Sequence, residues 1–155
     1  MKKQLESFCH AFEGLWQAIR TEAHLRFHLV AGFYVFLFAF LGEFSANEWA
    51  VLILTVCSVI TAELVNTAVE DLCDLYSTEE NKKIKRIKDI SAGAVLCFSL
   101  GAVGIALCLF IFTGKLEVAF GKLLSSPLWF IPLGASAVLS ILFITLFKEK
   151  TEHKD

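Results

Sequence analysis

The hydrophobic positions along the chain follow two patterns. In residues 1–27 they recur at steps of three and four: Leu5, Phe8, Phe12, Leu15, Trp16 and Ile19, with Lys2, Lys3, Glu6, Glu13, Gln17 and Arg20 largely on the other faces. An apolar stripe opposite a charged face predicts an amphipathic helix, lying in a membrane interface or packed on a protein core. The membrane segments that follow favour the interface. Beyond residue 27 the pattern changes to continuous apolar runs, His28–Leu41, Trp49–Leu72, Ile90–Thr113 and Leu128–Phe147. Each is near the roughly 20 residues that cross hydrocarbon; the first is shortest and open to borrowing its start from the preceding helix. Pro132 falls in the first turns of the last run, where helices tolerate it. Ala92, Gly93, Ala94, Gly101, Gly104 and Ala106 in the third run predict close helix contact. The expected fold class is therefore an all-α integral membrane protein. It divides into an interfacial helix (1–27), a three-span core (28–113), and an extension (114–155) with a fourth span and a tail.

Composition supports this reading and charge orients it. Of 155 residues, 56% are hydrophobic and only 19% charged, an apolar excess that has to face lipid. No basic, glycine-interleaved or zinc-finger pattern points to nucleic acid. Cys9, Cys57, Cys73, Cys97 and Cys108 are scattered and read as small hydrophobes. The long amphipathic start, with no short apolar run and cleavage site, argues against a signal peptide. With four crossings, twelve of the 14 Lys and Arg lie on the side of the termini and of the segment Asp71–Asp89. The positive-inside rule then makes both termini cytoplasmic.

The second run is not apolar throughout. At about 100° per residue, Asn66, Thr67, Glu70 and Asp74 all fall within about 60° of Glu63. Glu63 lies roughly two turns inside the membrane from the cytoplasmic end, where a carboxylate is costly unless paired, hydrated or bound to a cation. One bland reading is an interhelical hydrogen-bond cluster, with Arg26 or Lys88, that only orients the bundle. Two Glu, an Asn and an Asp on one face favour chemistry instead. A partly desolvated carboxylate can accept a proton from a lipid hydroxyl, which makes Glu63 the candidate general base. Glu70, nearer the cytoplasm, suits Mg²⁺, which takes one or two carboxylates plus nucleotide phosphates. Lys88 is placed to offset charge on a transferred phosphoryl group, while Lys82, Lys83 and Lys85 read as membrane anchoring. No P-loop and no kinase glycine-rich loop is present; Gly114-Lys115 and Gly121-Lys122 lack the rest of the motif.

The segment Ala62-Glu63-Leu64-Val65-Asn66-Thr67-Ala68-Val69-Glu70-Asp71-Leu72-Cys73-Asp74 resembles the signature of the prokaryotic diacylglycerol kinase and undecaprenol kinase family. Lys88-Asp89-Ile90-Ser91-Ala92-Gly93-Ala94-Val95-Leu96 resembles its second motif. Ser7-Phe8, Ala11-Phe12, Gly14 and Thr21-Glu22, followed by Arg26 and His28, look like the undecaprenol kinase branch. The resemblance covers about residues 1–113. It implies a trimeric enzyme with three membrane helices per chain, moving the γ-phosphoryl group of ATP, with Mg²⁺, to a lipid alcohol. By position Glu63 matches the proton acceptor, and Glu22 and Glu70 match metal carboxylates. Asn66, Asp74, Glu79, Lys88 and Asp89 match residues around the nucleotide; Asn81 is counted with them, and Lys3 and His10 align with further nucleotide contacts.

The sequence departs from that pattern in three ways. Cys73 replaces an apolar residue, Asp71 adds a charge about 80° off the Glu63 face, and the fourth run extends beyond the usual three. Two other function classes remain on the sequence alone. A small cation or proton transporter would also use intramembrane carboxylates. Against it, the outer half of the second run, Trp49-Ala50-Val51-Leu52-Ile53-Leu54, is wholly apolar, and no paired broken helices suggest alternating access. A structural scaffold would tolerate loss of the stripe.

Overall fold

The computed structural model describes residues 2–76 and 81–146. They form α1 (Lys2–Thr21), α2 (Ala23–Leu41), α3 (Ala46–Tyr76), α4 (Lys82–Ala106) continued by a π-helical turn (Leu107–Phe112), α5 (Lys115–Ser125), a 3₁₀ turn (Pro127–Trp129) and α6 (Phe130–Leu146). Three helices are long and apolar enough to cross a membrane: α2, α3, and α4 with its π turn. The protein is thus an all-α membrane bundle. α5 and α6 meet that measure only as a pair, across a bend of 112°.

The amphipathic segment ends earlier than its pattern predicts. Helix α1 stops at Thr21, Glu22 is extended (φ −97°, ψ 111°), and the first span begins at Ala23 rather than His28. The cause is Arg26, whose charge makes the segment look like surface. Its side chain turns inward, 1% exposed, and Nη1 donates to the carbonyls of Ile19 (2.9 Å) and Arg20 (3.0 Å). Those carbonyls belong to the last turn of α1, which has no intrahelical donors for them. Leu25 beside it is fully buried. With this start α2 has 19 residues, about 28 Å at 1.5 Å per residue, close to the hydrocarbon thickness.

The stripe on α1 is not packed on a core of this chain: Leu5, Phe8, Phe12 and Trp16 are each more than half exposed. Residues 71–76 and 82–89 of the charged stretch are helical. Helix α3 runs on to Tyr76 and α4 starts at Lys82, so charged residues end the apolar runs without ending the helices. Lys, Glu and Arg are good helix formers, and Asn81 caps α4 by accepting from Lys83 N–H at 2.8 Å. Glu79 lies outside the described residues, as do Phe147 and the tail lysines Lys148, Lys150 and Lys154.

Helix α4 packs closely on α3, but its glycines do not lie at the contact. A Cβ at Gly93, Gly101 or Gly104 would meet nothing within 4 Å, so these small residues are not crowded by the chain's own helices. The tight spot is Gly32 on α2, where a Cβ would sit 2.9 Å from Val56 Cγ1 on α3. Between α3 and α4 runs an apolar cleft of about 350 Å³, lined by residues including Leu54, Ser58, Phe98 and Gly101.

Burial concentrates at the α2–α3 turn. Ala39, Phe44, Leu52 and Phe110 form one cluster, and Leu41, Ala119 and Leu123 a second that ties α5 to the end of α2. Gly114 adopts φ 71°, the left-handed turn that lets α5 fold back after the π turn. Lys122 then pairs with Glu43 at 2.6 Å, and Lys115 pairs with Glu48 and donates to the Glu43 carbonyl. Helix α6 returns along α2, with Tyr34 Oη 3.1 Å from Ser136 Oγ and 3.3 Å from Ser140 Oγ.

Candidate active site

Helical periodicity on α3 puts the polar stripe on one face, and the neighbouring helices complete it. Glu63 is only 6% exposed. Its Oε1 lies 3.0 Å from Nε2 of His28, which projects from the second turn of α2. Thr67 Oγ1 donates to the Glu63 carbonyl at 3.1 Å, tying the stripe's hydroxyl to the backbone. One turn on, Asn66 Nδ2 donates to Glu70 Oε1 at 2.8 Å, while Asn66 Oδ1 is buried without a partner among the described residues. At the open end Lys88 of α4 pairs with Asp74 at 2.5 Å, a charged link between the last turns of α3 and the second turn of α4.

The structure thus brings together Glu63, Asn66, Glu70, Asp74 and Lys88 along one strip. Neither cation considered as a partner for the deep carboxylate takes that place. Arg26 is spent on the α1 carbonyls, and Lys88 on Asp74. His28 fills the role instead, a residue that the sequence marked only through its likeness to one branch of a family. Its signal was a polar ring at the start of an apolar run, on a helix that a short turn folds back against α3.

The remaining candidates are less integrated. Glu22 sits at the α1–α2 elbow, half-buried, and makes no capping bond with its side chain. Lys3 and His10 are exposed on α1, and His10 faces Glu13 of its own helix at 3.3 Å. Asn81 uses its side-chain oxygen as the α4 cap, and Asp89 is exposed beside Lys88. Cys73 is buried as a small apolar residue would be, and Asp71 is exposed, outside the pairings of the strip. Among the described residues no three His, Cys, Asp or Glu side chains converge as a metal cage. Mg²⁺ needs no such cage, since it takes one or two carboxylates and completes its shell with phosphates and water.

Chemically, the strip offers a buried carboxylate held by an imidazole, then an amide-held carboxylate, then an ammonium at the polar end. That order suits proton removal from an alcohol next to a phosphoryl group. Comparison with known proteins gives the family. The family profile described as prokaryotic diacylglycerol kinase matches residues 9–110, which takes in the whole strip. The undecaprenol kinase of Bacillus subtilis (strain 168) is 35% identical over 111 residues, covering 72% of this chain and 90% of that protein. The diacylglycerol kinase of Synechocystis sp. is 39% identical over 106 residues, covering 68% of this chain and 61% of that protein. No solved structure matches. Buried Glu63, its strip and the matched region together place the chain in the prokaryotic diacylglycerol kinase family, and it is a lipid kinase.

Proposed function

We propose that the chain transfers the γ-phosphoryl group of ATP to the hydroxyl of a membrane lipid alcohol at the cytoplasmic face, with Glu63 as general base. The observation that carries this reading is a carboxylate 6% exposed on a membrane helix, backed by polar residues that lead only toward one end. Glu63 removes the hydroxyl proton, and the lipid oxygen forms its bond to phosphorus as the bond to the leaving ADP oxygen breaks. Glu70, oriented by Asn66, and Glu22, on the elbow that Arg26 secures, are the carboxylates that would hold Mg²⁺. Bound there, Mg²⁺ would offset the phosphate charge. Lys88 brings positive charge to the nucleotide end, with Asp74 holding its ammonium. Asp89, Asn81, Glu79, Lys3 and His10 complete the proposed nucleotide surroundings.

The lipid is undecaprenol or diacylglycerol. The 90% coverage of a protein named undecaprenol kinase favours undecaprenol, and with it a supply of undecaprenyl phosphate for envelope assembly. The apolar cleft between α3 and α4 suits a hydrocarbon tail whose head reaches Glu63. Positive-inside counting supports cytoplasmic termini, with α5 and α6 as a bent fourth crossing and α1 in the interface, its uncovered Phe8, Phe12 and Trp16 toward lipid. The uncrowded small-residue face of α4 is open to a further copy, in keeping with a homotrimer. Purified protein in mixed micelles with γ-labelled ATP and Mg²⁺, offered each lipid in turn, tests the reading. Label is expected in undecaprenol above diacylglycerol, and no label in either would refute kinase activity on these lipids.

A further inference from the structure

We propose that His28 is a positioning residue for this reaction, its Nε2 pairing with Oε1 of Glu63 so that the other carboxylate oxygen is left for the lipid hydroxyl. The proposal rests on Glu63 being the base. A Glu side chain has three rotatable bonds, and Glu63 has little water to hold it: the side chains of the pair are 8% (Glu63) and 20% (His28) exposed. Nothing on α3 itself restrains the carboxylate, because Thr67 grips the Glu63 backbone carbonyl and Asn66 turns to Glu70. The two strong cations in reach by sequence are engaged elsewhere, Arg26 on Ile19 and Arg20 carbonyls and Lys88 on Asp74. His28 comes from a different helix, so its contact at 3.0 Å ties the base to α2 as well as α3.

An imidazole has fewer rotatable bonds than a lysine or arginine side chain, so less side-chain entropy is lost in holding it against Glu63. The contact is to Oε1, and Oε2 keeps its lone pairs for the incoming proton. A base misplaced by about 1 Å can cost on the order of 10²-fold in rate even when substrates still bind.

The test compares His28→Gln, which keeps an N–H donor near the Nε2 position, with His28→Phe, which keeps the ring volume and loses the donor. Each is measured in micelles for kcat, KM for ATP and for the lipid, and thermal unfolding, beside wild type and Glu63→Gln. His28→Phe is expected to lose about 10²-fold in kcat with both KM values and the unfolding midpoint near wild type, and His28→Gln to recover most of the loss. Wild-type kcat in His28→Phe with an inactive Glu63→Gln overturns this proposal alone. So does a loss equal in both His28 variants, or one confined to KM. Full activity in Glu63→Gln overturns the base assignment and this proposal together.

Discussion

At its N-terminal end α3 is pinned by packing and charge, whereas at its C-terminal end the same helix carries polar side chains held in pairs and left half open. Around the first turns the Phe44 and Phe110 rings lie 4.7 Å apart, Leu52 is 2% exposed, and the Lys115 ammonium stands 5.0 Å over the Phe44 ring. The last turns present Leu72, Leu75 and Tyr76 at 69%, 88% and 85% exposure. The difference separates two tasks. Rigid apolar contacts anchor the bundle where no chemistry is needed. The end proposed as reactive is tied by a few directed polar contacts, an arrangement that would leave room for a nucleotide and a lipid head.

The comparison predicts that substitutions at one end move stability and at the other move rate. Beyond Glu63 itself, Glu70→Gln is expected to have the largest effect: about 10²-fold or more off kcat, near 3 kcal/mol of barrier, with an unchanged unfolding midpoint. Steady-state kinetics with Mg²⁺ varied reads it, and a wild-type rate would return the stripe to a purely structural role. Next comes Leu52→Ala, which should cost about 2 kcal/mol of stability. That is the low end of the range for such cavities, since part of the reference state lies in lipid. Its kcat per folded molecule should stay at wild type; a specific loss of rate would mean that the two ends are coupled.

Asn66→Ala releases Glu70 from its only side-chain donor among the described residues. We expect about tenfold off the rate, or about 1.4 kcal/mol, recovered in part at high Mg²⁺. Glu43→Gln should have the smallest effect, on stability alone. The hydrogen bond and charge of Lys122 hold the Glu43 carboxyl below its ordinary value of 4.5. A carboxylate so lowered stabilises the fold fully above that ordinary value, and the contribution fades as pH falls through the lowered one. The variant should therefore unfold slightly earlier than wild type at neutral pH and converge with it in acid, with the gap shrinking in high salt.

Much of this division is readable from residue pattern. Continuous apolar runs mark the spans, and the three-and-four spacing of Glu63, Asn66, Glu70 and Asp74 marks one face of a helix. What the pattern cannot carry is where a charge goes when it turns inward. Arg26 reads as surface, yet its guanidinium serves the carbonyls of α1, so the elbow falls at Glu22. The charged stretch after Asp71 reads as a loop because charge ends hydropathy, although it does not end a helix. The link from His28 to Glu63 depends on how two helices are rotated against each other, which neither helix's own periodicity specifies. Helix α5, with 11 residues too few to span, takes its place by packing on Leu41 and pairing with Glu43.

The central claim is that Glu63 accepts the lipid hydroxyl's proton. Its most direct test is the initial rate of γ-phosphoryl transfer to undecaprenol by Glu63→Gln and wild type, in micelles under conditions where both show the same unfolding midpoint. Removing a general base costs on the order of 10²- to 10⁴-fold, so Glu63→Gln is expected to transfer label at least about 10²-fold more slowly, with KM for ATP close to wild type. A rate within a few-fold of wild type would contradict the account.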